Sequence, residues 1–146
     1  MHYTPRKVEK LLFSQAGRLA QRRLAHGKKL NHLESSALIA TVLQEIIHIE
    51  DHSVADLMKF GKGILGRRHV YPSVVGALKQ MQVEGTSETG TYLITIHNPI
   101  STDDGDLKMA LSGSFLPVPS DDLPCYQRSR FPPVSDARFT VTNKGT

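Results

Sequence analysis

The sequence predicts a mainly α-helical α+β fold: a four-helix cluster with a small C-terminal β-hairpin, followed by an extended linker tail. Three observations predict it. Ahead of the hairpin, apolar side chains recur at three- and four-residue spacing, the helical period. Strict alternation is clear once, where Tyr92, Ile94 and Ile96 point one way and Leu93, Thr95 and His97 the other. Beyond it, Leu116 to Ala137 carries five prolines in 22 residues, too many for a core. Residues 1–100 therefore read as one helical domain and residues 101–146 as a Pro-rich linker or tail leading toward a further domain.

Thr4 and Pro5 open the first helix, a hydroxyl that accepts from an early N–H followed by a residue whose missing N–H is not needed there. Val8, Leu11, Leu12, Gln15, Ala16 and Leu19, with Leu24 beyond, form its expected inward face; Arg6, Lys7, Lys10, Arg18, Arg22 and Arg23 occupy the rest. Gly27 is placed to end it in a left-handed cap. Asn31 and Glu34 then supply a capping box of the N-x-x-E form, starting a second helix near His32. Its body is apolar nearly all round, through Ala37, Leu38, Ile39, Ala40, Val42, Leu43, Ile46 and Ile47. Such a helix is central to a core or an assembly, and any side its own chain leaves uncovered is an interface.

Ser53 and Asp56 start a short third helix, VADLMKF, ending at Gly61, and Pro72 sits in the first turn of a fourth, with Val74, Val75, Leu78 and Met81 facing inward. The hairpin spans Gln82 to Ile100, with Ser87, Glu88, Thr89 and Gly90 as its connection. A two-stranded hairpin is marginal in water, so it must lie on the helices, and its outer edge is left for a neighbouring domain or subunit. The segments STDDGD and LKMALSGSF follow, turn-like and then mildly apolar. The final RFTVTNKGT begins like a strand with nothing in sequence to pair with, so the chain reads as stopping where a further domain would begin.

Composition narrows the class. A chain of 146 residues buries one modest core. No run reaches the length of a membrane span and the N-terminus carries no apolar signal segment, so a soluble, cytoplasmic protein is expected. The single Cys125 has no internal disulfide partner, in keeping with a reducing compartment. Charge is uneven: residues 1–72 hold 12 Lys or Arg against 6 Asp or Glu, and the remainder 6 against 8, for the overall +4. The basic half raises a second reading, a small helical module binding nucleic acid or an acidic protein. No Phe, Tyr or Trp alternates with the cations as a base-stacking platform requires, which favours solvated helix faces and contacts to acidic partners.

No constellation for catalysis emerges. His48 and His52 lie four apart but lack two further ligands for zinc, and no H-E-x-x-H or C-x-x-C occurs. The order G-K-G-I-L-G from Gly61 to Gly66 matches no phosphate loop and reads as a plain connection. Asp103, Asp104 and Asp106 lack the spacing and terminal Glu of a calcium loop. Catalytic, cofactor-binding and metal-ligating residues are therefore expected to be none in this chain.

The blocks LNHLESSALIA, HSVADLMKFGKGILGRRHVYPSVV and QVEGTSETGTYLITIHNPI, followed by LKMALSGSFLPVPS, resemble in order the gamma subunit of urease, and in particular the N-terminal gamma part of the single-chain ureases of plants and fungi. The likeness covers about Met1 to Ser120. It departs at the hairpin turn, where the family usually has a bulky apolar residue and Pro-Asp-Gly and this chain has Ser87, Glu88, Thr89 and Gly90. The resemblance implies part of an enzyme that hydrolyses urea to ammonia and carbamate at two nickel ions. Those ions are held in the large alpha part, by residues absent here. It further implies a structural role in a homotrimer-based assembly with beta and alpha domains or subunits, inactive alone, with no membrane or nucleic-acid partner. Leu38 and Val42 on the central helix and Thr95 and His97 on the hairpin are the expected interface residues.

Overall fold

The computed structural model describes residues 1–49 and 52–119. The first helix, α1, runs from Pro5 to Ala25, with the Thr4 hydroxyl accepting from the Lys7 N–H. Gly27, at φ 72°, turns the chain in the left-handed region, and its N–H bonds the Leu24 carbonyl. The second helix, α2, spans His32–Ile49. The capping box closes reciprocally: the Glu34 N–H donates to Asn31 Oδ1 at 2.8 Å and the Asn31 N–H to Glu34 Oε2 at 3.1 Å. The second oxygen of the buried Glu34 carboxylate pairs with Arg23, which joins the end of α1 to the start of α2.

Ser53 caps α3, Val54–Gly63, which passes two residues beyond its expected stop at Gly61. Gly61 lies buried inside the helix, because a β-carbon there would meet Ile96 Cδ1 at 2.5 Å. A 3₁₀ turn at Arg67–His69 leads to α4, Pro72–Ala77. That helix ends earlier than its apolar spacing suggests. Leu78 leaves helical geometry at ψ 74°, and Met81 already belongs to β1, Gln80–Ser87. Strand β2, Gly90–His97, pairs antiparallel with β1 in the register Gln80↔His97 through Ser87↔Gly90, leaving Glu88 and Thr89 as the loop. Within it the Thr89 hydroxyl lies 2.8 Å from those of Ser87 and Tyr92.

The core is built on α2, which touches α1, α3, β1 and a short fifth helix, α5, Leu107–Ala110. Ile94 and Ile96 of β2 and Val83 of β1 bury their side chains against the helices, as the strand alternation requires. Gly85 lets β1 approach α2, since a β-carbon there would fall 2.4 Å from Ile47 Cδ1.

Two differences from the sequence reading shape the surface. The inward face of α1 is the line Lys10, Ser14, Gly17, Gln21 and Leu24, not the bulky line through Val8, Leu12 and Leu19. Gly17 decides this: its missing β-carbon would lie 2.1 Å from Thr41 Oγ1 and 2.9 Å from the Ala37 carbonyl oxygen, so α1 seats closely on α2 where this line is small, at Gly17. The second difference lies after Ile100, where a linker was expected. Residues 102–111 instead pack on the domain. The Arg67 and Arg68 N–H groups donate to the Thr102 and Asp103 carbonyls, and Leu107, Ala110 and Leu111 enter the core. Gly66 and Gly105 permit this docking through backbone contact closer than any β-carbon allows.

Candidate interaction surfaces

The residues singled out as possible interface separate into two kinds. Leu38 and Val42 are 0% and 2% exposed, covered by the chain's own elements, so they are core residues and present nothing to a partner. Because α1, α3, α5 and the hairpin together enclose α2, its nearly all-round apolar sequence is satisfied internally. His97 is exposed and Thr95 half-buried, on the face of β2 opposite Ile94 and Ile96, with the exposed Leu93 beside them. Among the described residues no strand pairs with the other edge of β2. The backbone groups on that edge are therefore available to another strand.

The largest apolar exposure falls on α1. Val8, Leu11, Leu12 and Leu19 are 42%, 51%, 64% and 44% exposed. Their line is offset by two residues from the buried line, which at 3.6 residues per turn puts it on the opposite side of the helix. Lys7, Arg18 and Arg22 are exposed on the same helix, and among the described residues no carboxylate pairs with them. Arg18 and Arg22 also line a groove of about 370 Å³ with Gln21, Gly113, Ser114, Phe115 and Leu116. Phe115 stands fully exposed there in the left-handed region at φ 57°. The exposed surface of α1 thus adjoins the apolar Phe115 and Leu116 of the segment after α5.

A second groove, about 390 Å³, lies between α1, α2 and β1, with Phe13, Ala40, Leu78, Met81 and Val83 among its apolar lining. Glu84 organises its rim: its carboxylate pairs with Arg6 and, at 3.3 Å, with Lys10, while its backbone carbonyl accepts from Gln44 Nε2 at 2.9 Å. Hydrogen bonds from Arg6 and then Lys10 hold the Glu84 carboxyl below its ordinary pKa, against an opposing effect of desolvation.

The acidic groups noted in the sequence have structural partners. Asp103 and Asp104 pair with Arg67 at 3.1 Å and Arg68 at 2.9 Å, and Asp106 caps α5 by accepting from the Met109 N–H. The His52 ring packs edge-on against Phe60 at 5.2 Å. Among the described residues no group of three or more His, Cys, Asp or Glu side chains is arranged to hold a metal ion. Among the described residues the donor set does not fit a nickel centre. Cys125 and the Pro-rich tail lie outside the described residues. No helix among the described residues is long and apolar enough to cross a membrane. Sequence reasoning missed the exposed stripe of α1 by assigning its bulky residues to the core. The signal that marks it is the pair of small residues, Gly17 and Ala20, on the other side of the helix. The family model described as urease, gamma subunit, matches residues 1–100.

Proposed function

Since this chain belongs to the urease gamma-subunit family and is thereby part of a urease, we propose that it serves as the structural, assembly portion of a nickel-dependent, cytoplasmic enzyme hydrolysing urea to ammonia and carbamate. In this reading the nickel ions and the chemistry reside in the alpha part. The chain joins the beta and alpha domains or subunits in a homotrimer-based assembly and is inactive by itself. The observation that carries the reading is the pairing of the family match with the outward apolar stripe of α1, which a self-contained domain gains nothing by exposing. The open edge of β2 beside Thr95 and His97 offers a second, smaller contact to the same assembly.

The charge distribution bears on the nucleic-acid reading. Arg6, Lys10, Arg23, Arg67 and Arg68, five of the 12 Lys and Arg in residues 1–72, are engaged by carboxylates of the chain itself, which lowers the positive charge that half presents to phosphate. The test is ammonia release from urea. The purified chain with nickel added is expected to release none, and the chain combined with the beta and alpha parts to form an active enzyme. Turnover by the chain alone overturns the proposal.

A further inference from the structure

The outer edge of β1 runs along the groove between α1, α2 and the hairpin, and the hydrogen-bond pattern shows which backbone groups face it. The Asn98 N–H donates to the Lys79 carbonyl at 2.7 Å, one step outside the Gln80↔His97 pair. Bonded and non-bonded pairs alternate along an antiparallel ladder. Gln80, Gln82 and Glu84 therefore stand in non-bonded pairs and turn their N–H and C=O groups away from β2. The Glu84 carbonyl is closed off by Gln44 Nε2 at 2.9 Å. The backbone groups of Gln80 and Gln82 take no partner among the described residues. They stand beside a groove of about 390 Å³ with Phe13, Ala40, Leu78, Met81 and Val83 in its lining.

A ligand for this place has to supply backbone-like donors and acceptors at strand spacing together with apolar side chains. The cations around the groove, Arg6 and Lys10, equal its acids, Glu9 and Glu84, in number, so it offers no excess charge to an anionic metabolite or a phosphate backbone. An extended, uncharged stretch of polypeptide meets both demands. We propose that the groove accepts such a peptide as a third strand, antiparallel to β1. The central peptide residue exchanges both backbone hydrogen bonds with Gln82. The residues on either side of it, opposite Met81 and Val83, place aliphatic side chains in the groove, since side chains alternate along a strand. The hold of Gln44 on the Glu84 carbonyl ends the added strand there. Every residue the site uses lies in this chain, so the proposal stands apart from the assembly reading.

The probe is the synthetic peptide acetyl-Thr-Val-Gln-Leu-Thr-amide, titrated into the full, isotopically labelled chain while backbone amide resonances are followed. Saturable binding with a Kd below about 1 mM is expected, with the largest shifts at Gln80, Gln82, Ser36 and Ala40. The analogue N-methylated at its central glutamine lacks the donor aimed at the Gln82 carbonyl, and is expected to bind about fivefold or more weakly. Gln82→Pro removes an N–H that plays no part in pairing with β2, a place where an edge strand tolerates proline. That variant is expected to keep the circular dichroism and melting temperature of the parent and to lose about tenfold or more in affinity. Thr95→Pro makes the equivalent change on the outer edge of β2, since Thr95 pairs with Gln82, and is expected to bind as the parent does.

Equal binding of the parent and its methylated analogue would show that the groove fills without strand addition, and would overturn the proposal. Affinity lost in Thr95→Pro and kept in Gln82→Pro would move the added strand to β2 and overturn it too, as would the lack of saturation by about 5 mM peptide. Should Gln82→Pro lower the melting temperature, the two peptides compared on the parent chain decide the matter alone. None of these results touches the assembly reading, which ammonia release tests.

Discussion

Gly17 fixes how α1 sits, and its replacement separates two opposing effects. Alanine in a helix interior ordinarily gains about 0.5–1 kcal/mol over glycine. At this position the added methyl meets Thr41 Oγ1 and the Ala37 carbonyl, both on the packed face of α2. Overpacking of this kind costs about 1–3 kcal/mol, so Gly17→Ala is expected to destabilise the chain in guanidinium unfolding despite its helix propensity. The capping box gives a second expectation: Asn31→Ala removes one of two reciprocal bonds and costs about 1 kcal/mol. Glu34→Ala should cost more, because it also strands Arg23. Glu84 supplies the pH dependence. Its folded pKa lies below the ordinary carboxyl value, so its contribution is present above that value and lost as pH falls through the folded one. The difference in melting temperature between the parent and Glu84→Gln is therefore expected to be largest near neutral pH and to shrink through the acid range below about pH 4. A difference that grew on acidification would contradict the role given to Arg6 and Lys10.

At the scale of elements, local chemistry was legible and the choice between faces was not. The Thr4–Pro5 start, the Gly27 stop, the Asn31–Glu34 box, the Ser53 cap and the strand alternation each act within a few residues, and each stands where the sequence puts it. The orientation of α1 depends on residues distant in sequence, through the fit of Gly17 to Ala37 and Thr41. A bulky line and a small line on opposite sides of one helix are both plausible inward faces until the partner helix is known. Leu38 and Val42 were misread for the complementary reason: nothing local tells how many neighbours α2 has. The same applies to α5, whose four residues carry little helical signal but place Leu107 and Ala110 in the core, with Leu111 next to them. Leu111→Ala is accordingly expected to cost about 2–5 kcal/mol, a loss that guanidinium titration would register. A stability unchanged by that substitution would return residues 101–119 to the status of a linker.

For the whole molecule, the core closes with helices on both sides of α2 and a hairpin on a third, and with no buried side-chain polar atom lacking a hydrogen bond among the described residues. What stays open is one face of α1 with its basic flank, the groove edged by Phe115, and the free edge of β2. The family relation covers residues 1–100, and the packed segment continues past that limit to Leu111, so the path toward any following domain leaves from beside α1 rather than from the hairpin. An assembly part is expected to have this form, with its interior complete and its exposed apolar surface gathered where partners attach. Sedimentation velocity of the chain mixed with purified beta and alpha parts tests this most directly. The chain is expected to move into a faster species containing all the parts. A chain that sediments at its own rate, unaltered by their presence, would contradict it.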